Sequence, residues 1–402
     1  MIIAGLMTGT SADALDLALV RCRADPPDGG DDLHLELLAY REVPLPEDLR
    51  RDVLRLLEPD PVPLGLVARV DAALGRFSGR AVQTLLQQTG LECDLVVSHG
   101  QTVQHLLDGD RVAGSLQIGQ PAWIVEATGC PVVSDLRAAD VAAGGQGAPL
   151  AGTLDTLLLG QVQTPTAALN LGGIANITVV APGADPLAYD TGPANALVDL
   201  MARRITDGAE DCDRDGHLAA SGHPDPALLK DLLAEPYYAR PAPKSTGKEL
   251  FHAGYLDAVL ARHPGVAPRD VVATLTVLTA RTVADACRAH GVTLVHASGG
   301  GTRNPALMAA LAAELGPQVT VAPTQDLGLP ADAKEAVLMA LLGWLTWHGL
   351  PGTLPACTGA HAPRVAGRIT PGAEPLRLPE PAHAPPRRLR ITSAPSVPEG
   401  EL

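Results

Sequence analysis

The sequence predicts a two-lobed α/β protein in which each lobe is built on a mixed sheet. The chain has 402 residues, too many for one ordinary domain, and 46% of them are hydrophobic, enough for two cores. A pattern of strand, glycine turn, strand, strand and helix also occurs twice along the chain, which indicates an internal duplication with one copy per lobe.

The first copy of this pattern lies at the N-terminus. Residues 2–7 form a short apolar run that ends in turn residues, and leucines alternate with their neighbours over 15–19. A third alternating stretch covers residues 33–37. Apolar residues at helical spacing then predict helices over 47–57 and 64–88.

The second copy lies in the middle of the chain. Residues 167–171 are apolar, a double-glycine turn follows, and a second strand covers 174–180. A third strand is predicted to end at Asp190, and a helix to open near Pro193.

The C-terminal half adds further elements. We predict a long helix over 271–290, a strand over 292–297 and a last helix over 332–348. Asn304 followed by Pro305 predicts another helix start, with Asn304 as its N-cap.

These elements define the predicted domains. The first lobe covers residues 1–140 and is joined by the last helix, and the second lobe covers 141–331. Residues 373–402 are rich in Pro and Arg without periodicity, and we predict a loosely ordered tail there.

The composition excludes several kinds of partner. A formal charge of −15 argues against binding to nucleic acid or to an acidic membrane, since both require a basic surface. The six cysteines are scattered and form no metal-binding or redox motif. The N-terminus does not resemble a signal peptide, so we expect a soluble cytoplasmic protein. A homodimer is compatible with the sequence, which does not determine the oligomeric state.

The first turn has the chemistry of a phosphate-binding hairpin. Small residues let backbone N–H groups approach a phosphate, hydroxyls add donors, and an aspartate can hold Mg²⁺ through water. The residues concerned are Gly9, Thr10, Ser11, Ala12, Asp13, Ala14, Leu15 and Asp16. Taken alone, the segment also fits an ordinary hairpin turn.

Asp190 is the candidate general base. A carboxylate at a strand end can accept a proton from water or a hydroxyl. Asp followed by Thr-Gly-Pro is also common in turns and helix caps, so the residue alone leaves both interpretations open.

A lysine-containing segment at 244–249 superficially resembles a phosphate-binding P-loop. It has Ala242 where the motif requires Gly, and Lys248 is followed by Glu249, so we reject this interpretation. No nucleophile elbow or Ser–His–Asp order indicates a hydrolase.

Polar residues after predicted strands are candidate substrate contacts. They include His99, Gln101 and Thr102 after one strand and Arg137, suited to a carboxylate, after another. Glu335 is a further candidate, although Asp332 and Glu335 also fit a helix capping box.

Ten short segments, in order, resemble the anhydro-N-acetylmuramic acid kinase family over roughly residues 1–370. They are Gly5-Leu6-Met7-Thr8-Gly9-Thr10-Ser11, Ser98-His99-Gly100-Gln101-Thr102, Leu116-Gln117-Ile118-Gly119, Asp135-Leu136-Arg137, Gly144-Gly145-Gln146-Gly147-Ala148-Pro149-Leu150, Asn170-Leu171-Gly172-Gly173-Ile174-Ala175-Asn176, Asp190-Thr191-Gly192-Pro193, Lys244-Ser245-Thr246-Gly247, Gly299-Gly300-Gly301 and Lys334-Glu335-Ala336. Ala14 and Ala194 stand where the family usually has Gly.

The resemblance implies an actin/hexokinase-like (ribonuclease H-like) fold with an interlobe cleft, and an ATP-dependent kinase acting on a small amino sugar. The kinase would open 1,6-anhydro-N-acetylmuramic acid with water and phosphorylate O6, with Asp190 as general base and Glu335 as a second catalytic candidate. ATP would contact the first turn, Gly172, Gly173, Asn176, Gly299 and Gly300, with Mg²⁺ near Asp13. The sugar would contact His99, Gln101, Thr102, Arg137 and Gln146.

Three alternatives remain at this stage. They are a related kinase for another sugar, an actin-like ATPase that uses nucleotide as a conformational switch, and a catalytically silent sensor. The intact Asp190 disfavours the sensor, and the sugar-side residues disfavour the ATPase.

Overall fold

A computed structural model describes residues 1–9, 12–25, 32–58, 60–109, 111–247, 250–382 and 384–393. The strands are β1 (Ile2–Thr8), β2 (Ala14–Ala24), β3 (Asp32–Pro44), β4 (Leu95–Ser98), β5 (Gln101–Asp108), β6 (Arg111–Ile118), β7 (Val132–Ser134), β8 (Thr166–Leu171), β9 (Ile174–Val180), β10 (Leu187–Pro193), β11 (Leu294–Ser298), β12 (Thr320–Pro323), β13 (Arg368–Thr370) and β14 (Arg388–Ser393). The α-helices are α1 (Glu47–Leu57), α2 (Leu64–Thr89), α3 (Pro121–Thr128), α4 (Ala138–Ala142), α5 (Ala151–Leu159), α6 (Asn195–Ile205), α7 (His217–Ala220), α8 (Pro226–Leu232), α9 (Ala253–Leu260), α10 (Pro268–Ala289), α11 (Pro305–Leu315), α12 (Lys334–Trp347) and α13 (Pro355–Thr358).

The chain divides into two compact units. The first comprises residues 1–160 and 327–402, and the second comprises 161–326. Residues 141–160, which the sequence analysis assigns to the second lobe, belong to the first unit because α5 packs against α12 and β14. Helix α12 lies in the first unit, where it packs on β1, β2 and β4.

The two units have sheets of the same design, which confirms the predicted fold class. The first sheet has the order β13-β7-β4-β1-β2-β3-β14 and the second has the order β10-β9-β8-β11-β12. In each, three antiparallel strands are joined in succession, and a later strand runs parallel to the first of them. The duplication predicted from the repeated pattern is therefore present in the strand order.

Apolar residues on both sides of β1 explain why the first sheet is covered on both faces. In β1, Ile3 packs with the buried side chains of α12, whereas Ala4 and Leu6 pack in a second cluster with α2. In the second unit, the buried face of α10 covers the sheet through residues such as Val283.

Most of the predicted helices are confirmed. The helices predicted over 47–57, 64–88, 271–290 and 332–348 correspond to α1, α2, α10 and α12. The N-cap prediction is also confirmed, because Asn304 Oδ1 accepts a hydrogen bond from the Leu307 N–H at 3.0 Å. Among the described residues, no helix is both long enough and apolar enough to span a membrane.

Three local predictions are wrong. The strand predicted to end at Asp190 continues to Pro193. Helix α12 begins after Ala333 without a side-chain cap, so Glu335 does not belong to a capping box. The predicted loose tail contains β14, which pairs in parallel with β3 and buries Leu389 and Ile391. In the sequence, the alternation of buried and exposed residues in β14 is too short to recognise among the surrounding prolines and arginines.

Helix α12 approaches β1 unusually closely, and Gly5 makes this approach possible. A Cβ atom on Gly5 would lie 2.0 Å from the Ala336 carbonyl oxygen and 2.9 Å from the Ala340 backbone nitrogen. Both are backbone atoms of the helix, so no side chain can move aside. The first turn of α12 is therefore positioned by contact between backbones.

We expect Gly5→Ala to lower the free energy of unfolding by about 2 kcal/mol or more, because the added methyl group overpacks a rigid contact. Urea denaturation followed by circular dichroism measures this. Gly65→Ala is the matched control, since a Cβ there meets nothing within 4 Å. Gly65 lies in a helix, so its replacement should leave stability unchanged or slightly raised. Equal effects of the two substitutions would contradict the close-contact interpretation.

Candidate active site

The turn between β1 and β2 carries part of the predicted nucleotide site. The Ala12 N–H donates to the Gly9 carbonyl at 3.2 Å, and Ala12 has a left-handed φ of 51°. Such a conformation is uncommon for a residue with a side chain and is often found at functional sites. Asp13 is exposed at the end of this turn. Thr10 and Ser11 lie outside the described residues.

The strand after this turn places Asp16 among other carboxylates. Burial raises the pKa of Asp16 to about 6, although a hydrogen bond from the Tyr40 hydroxyl opposes the rise. Negative charges of Glu335, Glu42 and Asp332 raise the pKa further. This concentration of negative charge would be relieved by a divalent cation.

Glu335 lies in the first turn of α12 beside a buried ion pair. Lys334 Nζ is 2.7 Å from Asp155 Oδ1, and their side chains are 7% and 1% exposed. The Glu335 side chain reaches solvent. Desolvation by the surrounding protein raises the pKa of Glu335, while the positive charges of Lys334 and Arg137 lower it.

Arg137, which follows β7, forms a side-chain hydrogen bond with His99, which follows β4. Arg137 Nε donates to His99 Nε2 at 2.9 Å, and its Nη1 donates to the Gly147 carbonyl at 2.6 Å. His99 Nδ1 lies 2.7 Å from the Gly100 carbonyl, which can only accept a hydrogen bond. His99 is therefore a neutral imidazole with its proton on Nδ1.

The pKa values agree with this assignment. Burial, followed by the positive charge of Arg137, lowers the pKa of His99 to about 3. Burial lowers the pKa of Arg137 to about 10, and the carboxylates of Glu335 and Asp140 oppose this. Arg137 thus stays a cation at neutral pH beside a histidine that stays neutral.

The remaining sugar-side candidates lie near this pair in the chain. Gln101 is 2% exposed, and its Oε1 has no hydrogen-bond partner among the described residues. Thr102 Oγ1 accepts from Gln117 Nε2 at 3.2 Å. The Gln146 N–H donates to the Thr358 carbonyl at 2.8 Å, which anchors the glycine-rich segment.

In the second unit, two backbone groups and one tyrosine hydroxyl hold Asp190 in place. Its Oδ2 accepts the Thr246 N–H at 2.9 Å, its N–H donates to the Lys244 carbonyl at 3.0 Å, and its carbonyl accepts the Tyr237 hydroxyl at 2.7 Å. The pairing of β10 with β9 shifts register between Asp190 and Gly192. Such a bulge can redirect side chains at functional sites.

Polar residues lie opposite one another across the second sheet. Asp190 pairs with Asn176, and Asn176 pairs with Asn170, so the three side chains project from the same face. A Cβ on Gly299 would lie 2.6 Å from Asn170 Oδ1, and Gly299 has φ of 87°. Only glycine fits there. The backbone of the predicted Gly299–Gly300 loop can therefore pack directly against Asn170, beside this row.

The predicted turn at Gly172 and Gly173 holds the start of α6. Their carbonyl oxygens accept N–H groups of Asn195 at 3.0 Å and of Ala194 at 2.9 Å. These two glycines, Asn176 and the Gly299–Gly300 loop therefore lie at one end of the second sheet. In the first unit, the structure brings Asp16, Glu335, Arg137 and His99 close enough to interact.

Sequence reasoning missed several residues that complete these arrangements. Tyr40 binds Asp16, Asp155 pairs with Lys334, and Thr246 binds the Asp190 carboxylate. Asn170 joins the polar row, and it stands in the Asn-Leu-Gly-Gly segment that the sequence analysis quotes. Thr246 likewise stands in the Lys244-Ser245-Thr246-Gly247 segment, whereas Tyr40 and Asp155 give no sequence signal because their partners are distant in the chain.

Comparisons with known proteins give one family over nearly the whole chain. The family model described as anhydro-N-acetylmuramic acid kinase matches residues 1–372. The anhydro-N-acetylmuramic acid kinase of Streptomyces coelicolor is 54% identical over 396 residues, covering 98% of this chain and 100% of the relative. That of Rhodococcus erythropolis is 46% identical over 407 residues, covering 99% of this chain and 98% of the relative. That of Streptomyces avermitilis is 52% identical over 390 residues, covering 97% of this chain and 99% of the relative. This chain belongs to the anhydro-N-acetylmuramic acid kinase family.

Proposed function

We propose that the chain opens 1,6-anhydro-N-acetylmuramic acid with water and phosphorylates its O6 with ATP. The products are N-acetylmuramic acid 6-phosphate and ADP, and the role is recovery of cell-wall sugar. The reaction follows from family membership. The assignment of this reaction to particular atoms rests on the Asp190 carboxylate. The Thr246 N–H holds this carboxylate, and Asp190 lies in a row with two asparagines.

Asp190 is the general base in this proposal. Its carboxylate takes a proton from water as the water oxygen bonds to the anomeric carbon. The bond from that carbon to O6 breaks, O6 bonds to the γ-phosphorus, and the bond from phosphorus to the ADP oxygen breaks. One water and one ATP are consumed for each sugar. Because Oδ2 already accepts from Thr246, the carboxylate is oriented before substrate binds.

The nucleotide contacts are the two glycine turns and the glycine loop. The first turn, from Gly9 to Asp16, would contact the phosphates through backbone N–H groups. Gly172, Gly173, Asn176 and the Gly299–Gly300 loop would contact the rest of the nucleotide. As a member of a kinase family, the chain uses ATP, a metabolite of the cytoplasm, and we place the reaction there.

The donor set fits Mg²⁺ held mainly by water and phosphate. Among the described residues, no group of three His, Cys, Asp or Glu side chains could hold a metal ion. Mg²⁺ typically keeps several waters and binds one or two carboxylates together with phosphate oxygens. Asp13, exposed beside the turn, would hold it through water. The ion would neutralise charge on the transferred phosphoryl group.

The first unit supplies the sugar contacts. Arg137, whose guanidinium is oriented by its hydrogen bond to His99, would bind the lactyl carboxylate of the sugar. The unpartnered Gln101 Oε1 would accept the acetamido N–H. Thr102 and Gln146 would contact hydroxyls. Glu335, near Arg137 and with a raised pKa, is the second catalytic candidate beside the sugar contacts.

Asp190→Asn should lower kcat for sugar-dependent ADP release about 10²–10⁴-fold, because an amide cannot accept the proton of water. The assay contains ATP, Mg²⁺ and 1,6-anhydro-N-acetylmuramic acid. Asp257→Asn is the matched control, since Asp257 is 57% exposed and pairs with Arg204. Turnover retained in Asp190→Asn would exclude Asp190 as the base. ADP release that is indifferent to the sugar would contradict the proposed reaction.

Arg137→Lys should raise KM for the anhydro sugar about 10–100-fold, because lysine cannot reproduce the charge-assisted guanidinium contacts. KM for ATP should stay within about twofold. Arg368→Ala, at an arginine that is 73% exposed, is the control and should change neither constant. An unchanged sugar KM in Arg137→Lys would remove Arg137 from the sugar site.

The low pKa of His99 predicts a pH-dependent loss of stability. The pKa of histidine in the unfolded chain is about 6.5, whereas burial lowers the pKa of folded His99 to about 3. Below pH 6.5 the unfolded state therefore binds a proton that the folded state does not, and stability falls until about pH 3. Relative to His99→Gln, the wild type should lose about 2 kcal/mol between pH 7.5 and 5 in urea denaturation. Parallel curves would contradict the buried neutral imidazole.

A further inference from the structure

The second unit contains a cavity that the proposed reaction does not use. Its volume is about 510 Å³, within the range of small-molecule sites. Its walls are β10, the C-terminal half of α10 and the segment 233–244. Apolar side chains, among them Leu233, Ala242 and Ala286, form part of the lining, and the rest is polar or aromatic.

Hydrogen-bond donors without full partners line this cavity. The Tyr238 hydroxyl is buried, and no described residue forms a hydrogen bond with it. Lys244 Nζ donates to the carbonyl oxygens of Tyr237 at 3.2 Å and of Tyr238 at 2.9 Å. An ammonium has three N–H groups, so the third makes no bond to these two carbonyls, although Nζ also lies 4.8 Å from the centroid of the Tyr237 ring. A buried hydroxyl without a partner is unfavourable, and a ligand oxygen would correct this.

The charge of the lining is positive. Lys244 and Arg240 both line the cavity, and the carboxylate in the lining, Asp285, is paired with Arg288 at 2.5 Å. Burial, with the nearby charge of Arg240, lowers the pKa of Lys244. A negative ligand would relieve this repulsion. The two cations in the lining outnumber its one carboxylate, which favours a ligand with an anionic oxygen group.

We propose that this cavity binds a small organic anion. Its carboxylate or phosphate group would bind Lys244, Arg240 and the Tyr238 hydroxyl. Its compact body would rest on the apolar wall that includes Ala242 and Ala286.

The wall of the cavity is also the segment that holds Asp190. Lys244 and Tyr238 line the cavity, and the segment binds Asp190 through the Lys244 carbonyl and the Tyr237 hydroxyl, with the Thr246 N–H just beyond it. Tyr189 and Thr191, which flank Asp190 in β10, also line the cavity. An anion bound there would shift the position of Asp190. This regulatory role rests on the proposed function of Asp190, whereas the binding itself does not.

Fluorine NMR tests the binding directly. The chain has five tyrosines, so uniform 3-fluorotyrosine labelling gives five signals, and Tyr238→Phe, Tyr189→Phe and Tyr40→Phe each identify one of them. The probes are benzoate and phenyl phosphate, with benzamide as the neutral isostere of benzoate. We expect saturable shifts of the Tyr238 and Tyr189 signals with benzoate or phenyl phosphate, with a dissociation constant below about 10 mM. The Tyr40 signal, from the first unit, should not move.

Two substitutions complete the binding test. Ala289→Trp fills the cavity from its exposed rim and should abolish the shifts, whereas Ala261→Trp, at an exposed position outside the lining, should preserve them. Absence of saturable shifts with both anions would overturn the proposal. Equal shifts with benzamide would do so as well, because charge would then play no part. Shifts that survive in Ala289→Trp would place the binding elsewhere.

Turnover in the presence of the bound probe tests the regulatory part separately. A saturating probe should change kcat at least twofold in the wild type and leave Ala289→Trp unaffected. Binding without any change in kcat would overturn the coupling to Asp190. If the proposed reaction itself fails, the NMR result still decides whether the cavity binds anions.

Discussion

The contact between α12 and β1 at Gly5 determines the arrangement of the first unit. The backbone of the helix lies so close to the strand that no side chain fits between them. This contact fixes the first turn of α12, where Lys334 forms its buried ion pair with Asp155. Burying two charges carries a desolvation cost. The main effect of the pair is therefore to fix the first turn of α12 relative to α5, rather than to add stability. That position places Glu335 within electrostatic reach of Arg137 and Asp16.

The two units place their polar residues by different means. In the first unit, charged side chains hold one another, as Arg137 does with His99 and Lys334 with Asp155. In the second unit, two backbone groups and the Tyr237 hydroxyl, all within segment 237–246, hold Asp190. Backbone donors keep their charge state at every pH. The Thr246 N–H therefore supports the Asp190 carboxylate whatever the charge of the neighbouring side chains.

The sequence predicts the features that depend on neighbouring residues. Periodic apolar residues locate α1, α2, α10 and α12, and Asn304-Pro305 marks a helix start that the structure contains. The duplicated sheet could also be predicted, because each copy repeats the same order of short elements. Ten motif segments in order were enough to indicate the family.

The remaining features depend on contacts between distant residues. Strand β14 joins the sheet beside β3, from which it is separated by more than 300 positions in the chain. Its two buried side chains are too few to form a pattern. Likewise, Thr246 binds Asp190 and Asp155 binds Lys334 only after the chain has folded. For the site, the sequence indicates which residue types are available, and tertiary contacts determine which of them meet.

The most direct test of the proposed chemistry is the fate of the water oxygen. The reaction would be run in water enriched in oxygen-18, stopped after about one turnover, and its products analysed by mass spectrometry. We expect the label in the anomeric hydroxyl of the sugar phosphate, with none in the phosphoryl group, because water attacks carbon and O6 attacks phosphorus. Label in inorganic phosphate, or an unlabelled sugar product, would contradict this account.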